Sequence, residues 1–200
     1  MKKLIILTLL ITASLILSAV GVFGQENRRT TFTGTVVSYG SGFNTRTTTS
    51  NFTLNLTDIT SDDDAKRYLG ILQDEGQDKL LDAIRSTDLG NFAVGGRVGR
   101  TVNGVRVSEV DGKQRIRIIF ERWLGVAELR GGYRSIDYPF GYIELLVDPV
   151  TGKGDGTYIA AAKIRVRTDK KTGQEQVEVE DFATFPSKLM GVVVRGRKLL

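Results

Sequence analysis

The chain has 200 residues, of which 40% are hydrophobic and 26% charged, with 23 Gly, 3 Pro and a formal charge of +5. That suits one globular domain with many tight turns rather than a disordered or Pro-linked chain. His and Cys are both absent, which excludes disulfides, a thiol nucleophile, a lipid-modified Cys, the Ser-His-Asp triad and most zinc and transition-metal sites.

Residues 1–24 read as an export signal. Lys2 and Lys3 form a positive start, Leu4 to Leu17 is almost wholly apolar, and Val22-Phe23-Gly24 precedes a polar stretch at Gln25. An uncleaved anchor is the alternative, since Leu4 to Phe23 is long enough to span a bilayer. The small residues of Ser18 to Gly24 favour cleavage. The expected product is one domain over 25–200, periplasmic or extracellular in a bacterium, with no stable membrane span. Lys2 and Lys3 leave with the signal, so the remaining positive excess is mild. The other basic residues are spread beside acids, so no nucleic-acid partner is expected.

The mature chain opens with two β-prone runs. Thr30 to Tyr39 is rich in Thr and Val, and Thr47 to Asp58 alternates Phe52, Leu54 and Leu56 with Thr53, Asn55 and Thr57. The pattern then becomes helical. Ser61 with Asp64 is a shortened capping box, and Asp62 and Asp63 favour the positive end of the helix dipole. Glu75-Gly76 breaks the run before a second short helix. The spacing predicts a helical hairpin over about 61–87, with Leu69, Leu72, Leu80, Leu81 and Ile84 facing the β core. It would plug one end of a sheet or barrel, or act as a lid over a cavity.

From Gly90 the chain is β again. Phe92 to Arg100 is Gly-rich, and Asp111-Gly112 marks a two-residue turn between Val105–Val110 and Lys113–Glu121. Phe140 to Val147, Thr157 to Arg167, Gln174 to Phe182 and Leu189 to Val194 complete eight or nine strands. The fold class is therefore mainly β with a small α insert. An antiparallel up-and-down β-barrel is the first choice and a β-sandwich the second. Register is most explicit in the last predicted hairpin. One face should carry Tyr158, Ala160, Ala162, Ile164 and Val166. Ile164 should lie opposite Val179 and Val166 opposite Val177, with Lys163 facing Glu180 and Arg165 facing Glu178.

The densest mix of aromatic, cationic and acidic residues is Arg134-Ser135-Ile136-Asp137-Tyr138-Pro139-Phe140, running into the strand that holds Glu144. Arg134 and Asp137 beside Tyr138 would bind an anionic or carbonyl-bearing ligand, or form a turn clamp. Arg122 and Trp123 would stack at a cavity mouth, and Glu144 is a candidate if it points inward. The candidate ligand-binding residues are thus Arg122, Trp123, Arg134, Asp137, Tyr138 and Glu144. No catalytic set, metal site or cofactor is indicated. Asp148 to Gly156 lacks the alternating acids of a calcium loop and reads as a Gly-rich turn. No helix follows Gly95 to Gly99, so it is not a phosphate loop.

The order RSIDYPF, apolar strand and Gly-rich turn resembles a group of uncharacterised exported bacterial proteins of about this length. The resemblance covers about residues 30–185 and implies one exported domain, with no activity or site roles. Three functions are in view. The first is a barrel module holding a small apolar or amphipathic ligand inside it. The second is an envelope interaction protein with a filled core. The third is a lyase, isomerase or hydrolase using Arg134, Asp137, Tyr138 and Glu144.

Overall fold

The computed structural model describes residues 29–40, 46–122, 130, 134–168, 175–182 and 185–196. The signal segment 1–24 and Trp123 lie outside the described residues. The strands are β1 (Thr30–Ser38), β2 (Thr48–Leu56), β3 (Gly90–Val94), β4 (Arg100–Thr101), β5 (Gly104–Val110), β6 (Lys113–Glu121), β7 (Phe140–Val147), β8 (Lys153–Thr168), β9 (Glu175–Asp181) and β10 (Ser187–Gly196). Two helices, α1 (Asp62–Asp74) and α2 (Gln77–Ile84), follow β2, and a 3-10 turn (Arg134–Asp137) precedes β7.

The strands form one antiparallel sheet in the order β4-β3-β2-β1-β10-β8-β7-β6-β5. This is an up-and-down meander in which the last strand returns to pair with the first. Among the described residues no ladder closes it. Its two edge strands, β4 and β5, are instead consecutive in the chain and joined by Val102–Asn103. The Asn103 N–H donates to the Ile119 carbonyl at 3.0 Å, and the Thr60 N–H donates to the Val105 carbonyl at 3.0 Å. The sheet is thus rolled until its edges lie one short link apart.

Period-two alternation built this roll. Phe52, Leu54 and Leu56 on β2 point into it, with Phe32, Phe92, Val105, Ile116, Ile118, Phe120, Ile143, Leu145 and Leu189 from other strands. Phe92 sits between Phe52 at 6.0 Å, Phe120 at 5.7 Å and Tyr158 at 5.1 Å between ring centres. Such tilted aromatic pairs fill volume and add to the area term. Asp111 and Gly112 take φ values of 52° and 71°, the left-handed pair that a two-residue hairpin turn demands.

β8 departs from the expected pattern. Tyr142 pairs with Ile159 and Phe140 with Ala162, so Gly141 of β7 opposes two residues of β8, Ala160 and Ala161. This bulge inverts the strand. Tyr158 faces the interior, whereas Ile159, Ala162 and Ile164 face outward and Ala160 is exposed. The expectation that Tyr158, Ala160 and Ala162 share a face is corrected accordingly. β8 also starts earlier than expected, at Lys153. Gly154 and Gly156 lie in the strand and not in the turn, because a side chain at either would run into the Leu146 or Glu144 carbonyl oxygen.

On its free edge β8 pairs first with β10 and then with β9. The β8–β9 register is the one expected. Ile164 lies opposite Val179, Val166 opposite Val177, Lys163 opposite Glu180 and Arg165 opposite Glu178.

The helical hairpin neither plugs an end of the roll nor covers its interior. Tyr68, Leu72, Leu80 and Ile84 pack outside the roll on Phe140, Ile159, Ala162 and Ile164, making a second core. Ser61 caps α1 as expected, with Oγ accepting from the Asp64 N–H at 3.1 Å. Leu69 does not face the core. It is 41% exposed, on the side of α1 that overhangs the sheet edge. Among the described residues no helix is long and apolar enough to cross a membrane.

The second core gives a stability prediction. Ile84 has no exposed surface, so Ile84→Ala should cost about 2–5 kcal/mol. Leu69→Ala should change stability by no more than about 0.5 kcal/mol. Urea unfolding midpoints of the two variants check this contrast.

Candidate functional site

The RSIDYPF segment is held chiefly through its backbone. Arg122, just past β6, points its guanidinium at the turn, where Nε donates to the Tyr138 carbonyl and a terminal nitrogen to the Ser135 carbonyl. The Arg122 N–H donates to the Pro139 carbonyl at 3.0 Å. From the first turn of α2, the Gln77 amide donates to the Asp137 carbonyl at 2.8 Å and accepts from the Ile164 N–H at 3.3 Å. The Tyr138 hydroxyl donates to Glu180 on β9 at 2.6 Å, and its ring meets Phe182 edge-on at 5.2 Å. Phe140 is fully buried in the second core.

A cation whose donors go to carbonyl oxygens of one turn fixes chain geometry. This is the turn-clamp arrangement, with Arg122 as its cation. Asp137 contributes its carbonyl while its side chain is exposed. The Arg134 side chain lies outside the described residues, as does Trp123, so the Arg134–Asp137 pair and the Arg122–Trp123 stack lie there too.

Glu144 belongs to another neighbourhood. It is on the outer face of β7, opposite Arg117 on β6 and Thr157 on β8. Its Oε2 accepts from the Tyr142 hydroxyl at 3.1 Å. Burial first, and the Glu144 charge second, push the Tyr142 phenol well above its usual value, against a smaller opposing pull from Arg117 and Arg115. Burial likewise raises the Tyr158 phenol inside the roll.

Beside Glu144 a cleft of about 360 Å³ opens between α1 and the outer face of β5, β6, β7, β8 and β9. That volume is within the range of small-ligand sites. Tyr68, Leu69 and Leu72 form one wall, Ile119, Tyr142 and Ile164 the floor, and Val177 and Val179 the far side. Arg106 and Arg117 stand at one end. No family model matches the chain, and no curated protein or solved structure is significantly similar to it. The cleft's own chemistry therefore has to supply the functional reading.

None of the cleft's strand residues is among the candidate ligand-binding residues read from the sequence, although Ile164, Val177 and Val179 are on the apolar face expected of the last hairpin. One signal was available. Ile118-Ile119-Phe120 is apolar at three successive positions, and in a strand that means both faces are covered at that point. In the interior, where a ligand cavity was expected, the described residues pack the aromatic cluster of Phe52, Phe92, Phe120 and Tyr158.

Arg122→Ala should lower stability by about 1–3 kcal/mol, because carbonyls of the turn lose their donors. Asp137→Asn should leave it within about 0.5 kcal/mol. Equilibrium urea unfolding reads both. The two raised phenols give a pH dependence with a definite sign. Below the usual phenol value near 10 both folded and unfolded states are neutral, and nothing changes. Above it the unfolded chain ionises first, so stability falls as pH rises. Tyr142→Phe should flatten part of that decline in a series of unfolding midpoints taken from about pH 9 to about pH 11.

Proposed function

We propose that this chain is an exported binding module that holds a small apolar or amphipathic ligand in the cleft between α1 and the outer face of the sheet. The observation that carries the reading is an apolar lining left open at its mouth. Leu69 and Val177 are 41% and 51% exposed on opposite sides of one cleft. Apolar side chains that converge on a concave, solvent-open space are what a hydrophobic ligand would cover. Export rests on the composition of residues 1–24 and on the resemblance carried by RSIDYPF.

A second reading, an envelope interaction protein, draws on the aromatic cluster packed inside the roll and on Phe182 and Phe185, which are 49% and 61% exposed on the segment between β9 and β10. It requires no ligand in the cleft.

Titration with the neutral fluorescent probe N-phenyl-1-naphthylamine separates the two. The binding-module reading expects saturable binding by the wild-type chain, with NMR shift changes at Leu69, Ile119 and Val179 and none at Phe52 or Phe92. Ala65 lines the cleft and is half-buried, so Ala65→Trp should fill it and weaken binding on the order of tenfold or more, about 1.4 kcal/mol or above. Absence of wild-type binding, or equal binding by Ala65→Trp, would rule the module out and leave the interaction reading.

A further inference from the structure

Resting on the cleft as a binding site, we infer that its ligand is a singly charged amphipathic anion, a monoacyl carboxylate, with the head on Arg117 and Arg106 and the chain under α1. The first observation is the ladder itself. Arg106 and Arg117 are directly opposite each other on β5 and β6. Like charges in that position destabilise a sheet unless something lies between them.

The partners are the second observation. Arg106 uses one terminal nitrogen on the Thr60 carbonyl at 3.1 Å and on Asp62 at 2.8 Å. The rest of its guanidinium makes no hydrogen bond among the described residues. Arg117 is exposed and has no ion pair among the described residues. Glu144 is opposite it on β7, yet Glu144 bonds the Tyr142 hydroxyl. One step along the same face, Arg115 has its Nε buried without a partner among the described residues.

Counting charges sets the valence of the head. Around the proposed head position, Arg106, Arg117 and the neighbouring Arg115 meet Asp62 at the start of α1 and Glu144 on β7, a local excess of one positive charge. One carboxylate balances it, whereas a phosphate monoester carries more than one negative charge at neutral pH. A guanidinium also matches a carboxylate in two-pronged geometry.

Polarity along the strands then sets the direction of the chain. The row Arg106–Arg117–Glu144 is polar. The next row on the same face, Gly104–Ile119–Tyr142, is apolar and lies one strand repeat of roughly 6–7 Å away. Gly104 contributes no side chain there, and Tyr68, Leu69 and Leu72 roof the far side. A head on the first row would send its tail directly into the covered part of the cleft.

Calorimetric titration with dodecanoate below its micelle concentration and dodecan-1-ol below its solubility limit tests the inference on the wild-type chain without a variant. Dodecanoate should bind on the order of tenfold tighter, the worth of one charge-assisted contact. Its advantage should shrink with added salt. Arg117→Gln should remove most of the preference, weakening dodecanoate binding far more than dodecan-1-ol binding, and Arg117→Lys should restore part of it. Equal affinity for acid and alcohol, or an unaltered preference in the Arg106→Gln, Arg117→Gln double variant, overturns the head-group inference and leaves the cleft reading standing. Failure of the wild-type chain to bind either compound overturns both.

Discussion

One extra residue in β8 decides how many layers this protein has. Before the bulge opposite Phe140 and Tyr142, β8 gives Tyr158 to the interior. Ile159, also before it, points outside by ordinary alternation, and past it Ala162 and Ile164 point outside although they share Tyr158's parity. A 16-residue strand without that inversion would turn Ile164 into the roll and put Lys163 and Arg165 on the face that carries the outer core. Because side chains alternate with period two, a single inserted residue moves every later one across the sheet. The outer core, the seat of the helical hairpin and the cleft all follow from this.

The bulge also divides the free edge of β8 between two partners. β10 takes Lys153–Tyr158 and continues to β1, which brings the last strand back to the first. β9 takes Ala162–Thr168 and extends beyond the roll. β9 is held there by paired charges on its exposed face. Arg165 reaches Glu178 at 2.8 Å and Glu180 at 3.1 Å, and Arg167 reaches Glu178 at 3.1 Å. Such exposed pairs each add little to stability. Their contribution is register, since a shift of one residue would put Arg165 against a valine. With register fixed, Val177 and Val179 are set on the cleft side.

These features were unequally visible in the sequence. The β8–β9 alignment was legible because apolar and charged residues alternate in both strands, leaving one pairing that satisfies both faces. The α1 cap was legible because Ser61 and Asp64 have the required spacing. The bulge was not, since Tyr158-Ile159-Ala160-Ala161-Ala162 is apolar throughout and contains no break in pattern. The Arg122 clamp was not either. Side chain to carbonyl bonds can be made to any residue, so the partners Ser135 and Tyr138 carry no compositional mark. The motif reads as a turn with a cation nearby, and among the described residues a cation reaches it from the end of β6. The cleft was not legible because Arg115 and Arg117 give the outer face of β6 a charged pattern, and Ile119 changes that face's character midway.

The way α1 is fastened bears on how a ligand could enter. The helix is tied to the strands across the cleft at its two ends, by Asp62 to Arg106 at 2.8 Å and by Gln73 to Glu175 at 2.6 Å. Both ties are exposed, and contacts of that kind are worth about 0–1 kcal/mol each. The apolar anchors of the hairpin, Leu72, Leu80 and Ile84, pack in the second core with Phe140 and Ile164, Leu72 and Leu80 also lining the cleft, and are far more costly to disturb. The weak attachment is at the mouth beside Leu69. A tilt of the whole of α1 would pull Tyr68 and Leu72 from the second core as well as break the two polar ties, so that packing and not the ties sets the cost of opening the lining. The rolled sheet beneath, packed around Phe92, holds the floor of the cleft in place.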